Sequence, residues 1–534
     1  MRHNATMRRA AVATTAAAAL TLTACGGGDG GSGGDAAADG GTVSIYNCEP
    51  QNLMPGNSTE VCGSKVLEQL YTGLTGVDFE SYEAVPGVAE EWETEDNETW
   101  TFHLGEDWTF HNGEEITAQT FVDTFNWTVD PDNAQQNAGF YDKIAGYQAV
   151  VDGEAEELEG VRAVDDYTLE IELNEPFSPL PLMLSYTGFY PLPQEAFEDP
   201  DSYEQAPIGN GQYQMDGEWV HDQHINLTRY EDYAGEEAGK PANIEWRIYA
   251  DAEAAYLDAQ SGELDVMDEV TPNHWGQLEG DFGDNQQSFE TSSFEYLGFP
   301  LYQEEFQDVD VRRALSMAID REEIIEQIFD GQNVPASGVI PPMMPEYRDD
   351  ACDTCSFEPD RAAELYEEAG GPSELTLYFN SGAGHDAWTE AVANQWQENL
   401  GVESVQFESM EFAQYLDLHD NDEITGPFRL GWVLSYPATQ YAMEPIYTTD
   451  QSSNYTGFSN EEFDSLIDEG NSATDQDAAS TAYQEAEDIL MEEMPLIPLW
   501  FKSYPVVTSE RVDDSSVVMD YRTFVRVEDL ELTE

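Results

Sequence analysis

The sequence predicts an α/β protein with mixed sheets, because segments with strand and helix patterns alternate along the whole chain. Residues 99–104 and 167–173 alternate apolar and polar side chains with the period of two that is typical of a strand. Residues 310–329 place apolar side chains near one face of a helix. The 534 residues suggest about three structural units, and a hydrophobic fraction of 40% is enough for large cores. A disordered chain is therefore excluded.

The other elements follow from the same patterns. Strands are predicted at residues 43–46, 99–104, 167–173 and 375–379. Helices are predicted at residues 65–71, 117–127, 310–329, 388–400 and 485–494. We expect Thr117 to cap the N-terminus of its helix and Pro495 to end the last helix.

The first 41 residues are expected to be an export signal and a tether. Three arginines in the first nine residues precede an apolar run at 10–24, which is too short to span a membrane. The run ends in LTAC at 22–25, which resembles a bacterial lipobox. Residues 1–25 would then be a lipoprotein signal peptide with Cys25 as the lipidated residue, and the Gly-rich segment 26–41 a flexible tether. The alternative is an ordinary signal peptide that ends near a cysteine.

The charge of the chain is strongly acidic. There are 109 Asp and Glu residues against 19 Lys and Arg, which gives a formal net charge of −90. Such a surface repels nucleic acid and anionic membranes, so neither is expected as a direct partner. The acidic residues are spread along the chain, as on the solvated surface of a folded protein in a high-salt habitat, where counterions screen their repulsion.

The cysteines fit an oxidising compartment. With Cys25 used by the anchor, Cys48, Cys62, Cys352 and Cys355 remain, an even number. The simplest pairing is Cys48 with Cys62 and Cys352 with Cys355, each closing a short loop. The alternatives are a zinc site made from all four, or redox chemistry at the second pair.

The order of short motifs along about 450 residues carries a family resemblance. The motifs are LMP (53–55), LYTGL (70–74), PGVAEEW (86–92), TFHL (101–104), FHNG (110–113), ITA (116–118), DDYTL (165–169), IGNGQY (208–213), SGELD (261–265), DVDVRRAL (308–315), LGW (430–432) and MPLIPL (494–499). In this order they resemble the extracellular solute-binding proteins of family five, the oligopeptide- and dipeptide-binding proteins of ABC importers.

The resemblance implies a two-lobed clamp of the type II periplasmic-binding-protein kind, with an extra domain in the first lobe. Carried over, lobe I would comprise residues 42–78, 202–299 and 498–534, the extra domain residues 79–201, and lobe II residues 300–497. The ligand would be enclosed between the lobes, and closure would signal occupancy to the membrane partner.

The resemblance also implies where a peptide backbone would pair as an added strand. One contact lies near the segment that contains Glu49. The other lies at Gly431, Trp432 and Val433. For Trp432 the alternative is a tryptophan of the core.

Two further residues match family positions that meet a peptide carboxylate. Arg429 lies two residues before the Gly-Trp pair, and a guanidinium binds carboxylate bidentately. The alternative is an ion pair with an acidic side chain of the protein. His385 matches a family histidine that can meet the end of a longer peptide, although a lone histidine is more often a plain surface residue.

One position departs from the family pattern. Peptide-binding relatives have an aspartate three residues after this tryptophan, which anchors the α-ammonium of the ligand, whereas this chain has Ser435. A hydroxyl does not neutralise a buried ammonium. Either another carboxylate, such as Glu49 or Glu444, takes this role, or the ligand has no free amine.

The sequence therefore predicts a substrate-binding lipoprotein of an ABC importer, which captures oligopeptides or dipeptides at the outer face of the cell membrane. Its expected partners are the peptide, the permease subunits and, through the lipid anchor, the membrane. A monomer without cofactor or metal is expected. The alternatives are a non-peptide solute (oligosaccharide, opine or metal complex) and an exported hydrolase, for which close carboxylate pairs say nothing, since 109 acidic residues guarantee them by chance.

The anchor is tested by replacing Cys25 with serine. Because serine cannot accept the lipid, the Cys25→Ser protein should be released into the medium while the wild type stays with the membrane fraction. Fractionation followed by immunoblotting measures this. A variant that still fractionates with the membrane would refute the lipid anchor.

Overall fold

The structure is a computed structural model that describes residues 40–235 and 238–533. The predicted signal peptide, the lipidation site Cys25 and residues 26–39 of the predicted tether lie outside the described residues. Within the described ranges, no helix is both long enough and apolar enough to span a membrane.

Strands and helices alternate along the described chain. The strands are β1 Thr42–Asn47, β2 Thr75–Val77, β3 Ala84–Pro86, β4 Ala89–Thr94, β5 Thr99–Leu104, β6 Val161–Asp165, β7 Thr168–Glu172, β8 Tyr213–Met215, β9 His224–Arg229, β10 Asn243–Ile248, β11 Val266–Met267, β12 Gln286–Gly298, β13 Val334–Pro335, β14 Glu374–Asn380, β15 Ser404–Met410, β16 Phe428–Trp432 and β17 Leu496–Thr508.

The α-helices are α1 Val61–Leu70, α2 Ala118–Val129, α3 Tyr147–Val151, α4 Leu180–Met183, α5 Gln194–Glu198, α6 Pro200–Tyr203, α7 Ala252–Ser261, α8 Leu278–Phe282, α9 Val309–Met317, α10 Arg321–Ile328, α11 Pro359–Ala369, α12 Asp386–Leu400, α13 Phe412–Asp420, α14 Glu444–Tyr447, α15 Glu461–Ser472 and α16 Gln476–Glu493. The expected α/β class is confirmed.

The sheets are mixed, as predicted. The large sheet has the order β15-β14-β16-β12-β17-β11-β1-β10-β9-β8, and β13 pairs with β17. Strand β1 is parallel to β10 and β11, and β14 is parallel to β15 and β16, whereas β12 is antiparallel to both β16 and β17. A separate sheet has the order β4-β5-β7-β6, and β2 pairs with β3.

The long strands β12 and β17 join the two halves of the large sheet. Their antiparallel pairing is interrupted between Glu290 and Phe294, whose partners are Ser503 and Phe501. Before the interruption β12 pairs with β17 alone, and β17 in turn pairs with β11, which is next to β1. After the interruption β12 pairs with both β17 and β16. These two strands are therefore the covalent connection between the halves of the sheet.

The buried apolar side chains form separate cores. One core takes residues between 294 and 501 together with Tyr521, and a second takes residues between 74 and 189 together with Tyr436 and Ala438. A third combines residues 43–71, 190–266 and 506–530, and a small fourth core lies around α7 and α8. This partition resembles the predicted lobes and extra domain, whose boundaries remain a prediction.

Most predicted elements are present, with two kinds of difference. The prediction of a single helix at 310–329 is wrong, because the segment forms two helices. Helix α9 ends at Met317, and Asp320 caps α10 by accepting a hydrogen bond from Glu323 N at 2.9 Å. The helices predicted to begin at residues 65 and 485 begin earlier, at caps provided by Glu60 and Asp475.

The four described cysteines form two disulfides. Cys48 is joined to Cys62, with 5.5 Å between their Cα atoms, and Cys352 is joined to Cys355, with 5.4 Å. Among the described residues, no group of three or more His, Cys, Asp and Glu side chains could hold a metal ion.

Few of the described carboxylates are buried, and almost all of these have a basic partner. The buried carboxylates are Asp265, Asp268, Glu295, Glu346, Glu444, Glu487 and Asp520. Six of them have a basic partner: Asp265 pairs with Arg511, Asp268 with Lys65, Glu295 with Arg429 and Lys502, Glu444 with Lys143, Glu487 with Arg348, and Asp520 with Arg522. Glu346 accepts hydrogen bonds from two hydroxyls instead. All other described carboxylates are at least partly exposed, so they repel one another through solvent.

Stability should therefore increase with salt. The Debye length falls from about 10 Å at 0.1 M to about 3 Å at 1 M, which weakens repulsion between exposed carboxylates and leaves the buried pairs largely unscreened. We expect the melting temperature to rise between 0.1 and 1 M sodium chloride, measured by circular dichroism. A flat or falling melting temperature would contradict a fold adapted to high salt.

Candidate functional site

Two adjoining cavities lie where segments from different cores meet at β12 and β17. Cavity A has a volume of about 340 Å³, and its lining includes Glu269, Glu295, His385 and Lys502. Cavity B has a volume of about 300 Å³, and its lining includes Glu60, Val433, Ser435 and Arg522. Both cavities are lined by Val61, Tyr504 and Thr523, so they are neighbouring parts of one cleft.

Two larger cavities lie elsewhere and contain none of the predicted site residues. One, of about 480 Å³, lies beside α2 and β6. The other, of about 540 Å³, lies between residues 81–100 and residues 437–483. The cleft formed by cavities A and B is therefore the candidate site.

A buried carboxylate with two basic partners forms the charged part of cavity A. The Glu295 side chain is 2% exposed, and it contacts the guanidinium of Arg429 through one oxygen and Lys502 Nζ at 2.5 Å through the other. Burial would raise the pKa of Glu295, but the two cations outweigh this effect and lower its pKa to about 2. Glu295 is thus ionised, and the three groups together have one net positive charge.

Lys502 is the cation of this cluster that faces the cavity. It lines cavity A, with 27% of its side chain exposed. Arg429 is not among the lining residues. Its side chain is 12% exposed, and its Nη1 donates to Asn380 Oδ1 at 3.0 Å. The structure therefore places Arg429 in the ion pair that the sequence left open as its alternative, and its contact with a ligand stays a prediction.

His385 supplies a hydrogen-bond donor to the same cavity. It lines cavity A and is 4% exposed, and its Nδ1 accepts a hydrogen bond from Trp388 Nε1 at 3.2 Å. Burial, and next the positive charge of Arg429, lower the pKa of His385 to about 3, so the ring is neutral. Since Nδ1 accepts, the ring proton is on Nε2, which has no partner among the described residues.

The Gly-Trp segment lies at the end of β16. Gly431 is the partner of Glu295 across the strands, and a Cβ atom there would lie 2.9 Å from the backbone oxygen of Phe294. Glycine is therefore required for this close approach. Trp432 is half-buried and donates from Nε1 to the backbone oxygen of Tyr441 at 2.9 Å.

The next residues bring the predicted segment into cavity B. Val433 is 40% exposed there, and Ser435 lines the same cavity. The Ser435 hydroxyl donates to the hydroxyl of Tyr441 at 3.2 Å. Ser435 therefore brings no negative charge to the cleft.

The structure does not bring Glu49 into either cavity. Its Oε1 lies 2.7 Å from His221 Nδ1, and its Oε2 accepts a hydrogen bond from Asp222 N at 2.9 Å. The preceding residue, Cys48, does line cavity A. The predicted segment therefore reaches cavity A through Cys48, whereas the Glu49 carboxylate contacts His221 and Asp222 instead.

Sequence reasoning missed five charged residues of the cleft: Glu60, Glu269, Glu295, Lys502 and Arg522. One of them had a signal, since Lys502 is the single charged residue of the largely apolar segment 496–508 in a chain that has few basic residues. Such a residue is buried only when it is paired, which makes strand β17 a candidate position for the site. Glu269 lies in an acidic segment and had no such signal.

Comparisons with known proteins agree with this architecture. The family described as "Bacterial extracellular solute-binding proteins, family 5 Middle" matches residues 83–454. The periplasmic murein peptide-binding protein MppA of Escherichia coli is 29% identical over 510 residues, which cover 87% of this chain and 90% of MppA. The oligopeptide-binding protein OppA of Bacillus subtilis is 27% identical over 488 residues, covering 87% and 88%.

A solved structure has the same fold. The ABC transporter substrate binding protein CtaP of Listeria monocytogenes superposes with a TM-score of 0.80 at 22% sequence identity, covering 93% of this chain and all of CtaP. The predicted two-lobed clamp fold is thereby confirmed. With the family match over well over half of its length, the chain belongs to the extracellular solute-binding proteins of family 5.

Proposed function

We propose that this chain is the substrate-binding lipoprotein of an ABC importer, which captures oligopeptides or dipeptides outside the cell and delivers them to the permease. Support comes from relatives named as oligopeptide-, dipeptide- and murein peptide-binding proteins. Cys25 would hold the protein at the outer face of the membrane. The protein would bind without catalysing a reaction.

The single observation that supports a peptide best is the surplus of positive charge at Glu295. Of the buried carboxylates among the described residues, Glu295 alone has two basic partners, Arg429 and Lys502. In a chain with 19 basic residues, this arrangement leaves one cation for an anionic group of the ligand. Lys502 and the Nε2–H of His385 would both donate to the C-terminal carboxylate of a peptide.

Cavity B would hold part of the peptide chain beyond the charged groups that bind in cavity A. Strand β16 ends at Trp432, beside Val433 and Ser435 in cavity B, so an extended peptide would pair its backbone there as an added strand. Peptides of different sequence could bind in this way, because backbone groups supply the hydrogen bonds and water fills the spaces around the side chains.

Closure of the clamp would come from movement about β12 and β17. The interruption in their pairing lies between Glu290 and Phe294, beside Tyr504, which lines both cavities. Lobe I would be residues 42–78, 202–299 and 498–534, and lobe II residues 300–497. Rotation about these two strands would enclose the ligand and change the surface offered to the permease.

One position favours a second candidate, a solute without a free amine. Ser435 stands where peptide-binding relatives are expected to have an aspartate, and its hydroxyl is engaged with Tyr441. An oligosaccharide or another solute without an amine would need no carboxylate there. It would also make no use of the cation surplus at Lys502.

The carboxylate site is tested by combining a peptide change with a protein change. Lys502→Gln is the suitable variant, because Arg429 still pairs with the buried Glu295. Amidating the C-terminus of a pool of mixed tetrapeptides should weaken binding to the wild type by about 1.5–3 kcal/mol, roughly tenfold to a hundredfold in Kd, since a hydrogen bond to a charged group is lost. Lys502→Gln should weaken binding of the free-acid pool similarly and that of the amidated pool little further.

The control is Lys240→Gln, which changes the same charge at an exposed ion pair with Glu531 and should leave both affinities unchanged. Isothermal titration calorimetry measures all combinations. If amidation has no effect on the wild type, the ligand is not held by a carboxylate and the second candidate becomes the better one.

A further inference from the structure

Three carboxylates line the cleft, and two of them are already used by the protein. Glu60 caps α1, and its two oxygens accept hydrogen bonds from the backbone nitrogens of Gln51, Cys62 and Gly63. Glu295 is the partner of two cations. The third carboxylate, Glu269, lines cavity A.

Glu269 has one cationic partner in the described part of the chain, and it shares this cation with a second carboxylate. Lys65 Nζ lies 2.8 Å from Asp268 Oδ2 and 3.0 Å from Glu269 Oε1. The side chains of Lys65 and Asp268 are 1% and 0% exposed, whereas that of Glu269 is 37% exposed. The three groups together have one net negative charge, and Glu269 is the member that faces the cavity.

The other carboxylates suggested by the sequence are occupied elsewhere. Glu49 is engaged with His221 and Asp222. Glu444 is buried, with Oε1 2.6 Å from Lys143 Nζ and Oε2 accepting from Gln440 and Asn471. Neither residue lines cavity A or B. Among the described residues, Glu269 is the carboxylate of cavity A that must share its cation with a second carboxylate.

The wall beside Glu269 suits an organic cation. Val270, Pro272 and the half-buried ring of Trp275 follow it in the lining of cavity A, and Trp275 Nε1 is occupied by the backbone oxygen of Val270 at 2.9 Å. An ammonium or guanidinium with an aliphatic stem can place its charge on a carboxylate and its stem against such a wall.

An independent observation indicates that cavity A holds a ligand. The Nε2–H of His385 is buried and has no partner among the described residues, and it belongs to the lining of the same cavity. Buried donors without a partner are costly, so a ligand group is expected there. The cavity thus has a positive side at Lys502 and a negative side at Glu269.

We propose that Glu269 binds a cationic group of the ligand and takes the role that the aspartate at position 435 would have had. The inference rests on the proposed peptide function and specifies its substrate class, namely peptides with a positive charge that reaches cavity A. The charge has two possible sources, the α-ammonium or a lysine or arginine side chain. A ligand with both charges would be aligned between Glu269 and Lys502.

The test compares Glu269→Gln with the wild type on four pools of tetrapeptides. Two pools lack basic residues and have either a free or an acetylated N-terminus. The other two are acetylated and contain either lysine or norleucine at one position. Glu279→Gln is the matched control, an exposed carboxylate of lobe I on α8 that lines neither cavity. Calorimetry gives the affinities, and thermal melts show that each variant is folded.

If Glu269 binds the α-ammonium, acetylation should weaken binding to the wild type about tenfold or more and have no effect on Glu269→Gln. If it binds a side chain, lysine should bind better than norleucine by a similar factor in the wild type only. Either result supports the inference. Glu269→Asp should retain part of the preference, because it keeps the charge.

The inference is overturned if a folded Glu269→Gln discriminates among the pools as the wild type does, or if it loses affinity for all pools equally. A wild type that binds none of the pools overturns the proposed peptide function and this inference with it. Binding of the pools without dependence on Glu269 overturns this inference alone.

Discussion

The structure depends on a small number of cations that must serve a very large number of carboxylates. Each buried carboxylate needs a partner, and basic partners are scarce in a chain with 19 basic against 109 acidic residues. Six of the seven buried carboxylates among the described residues have one, and the seventh accepts from hydroxyls. The remaining carboxylates stay in water, where salt can screen them.

This scarcity gives meaning to two unequal pairings beside cavity A. Glu295 has two cations, and Lys65 has two carboxylates. Both groups reach the same cavity through a partly exposed member, Lys502 and Glu269. A cavity with a partly exposed cation on one side and a partly exposed carboxylate on the other fits a ligand with separated charges. The strands β12 and β17 contribute Glu295 and Lys502, so the charged site lies on the connection that a closing clamp would bend.

Much of the fold could be predicted because local patterns determine it. The alternation at 99–104 gives β5 with the predicted bounds, and Thr117 takes the N-cap position of α2. The predicted helix at 310–329 was wrong because Asp320 starts a second helix, a cap that an apolar pattern does not reveal. Periodicity finds the apolar face of an element, whereas a cap inside a long periodic segment depends on one side chain.

The site was less predictable, because its charges meet only in three dimensions. The resemblance indicated His385, Val433 and Ser435, all of which line the cleft. It did not indicate Glu269 or Lys502, since their roles follow from partners far away in sequence. The ligand-binding roles of all these residues remain predictions.

The most direct test of the account is native mass spectrometry of the protein purified from its own cells, followed by fragmentation of any released ligand. We expect bound peptides with a free C-terminal carboxylate and at least one cationic group. A sugar or another solute without a carboxylate would contradict it.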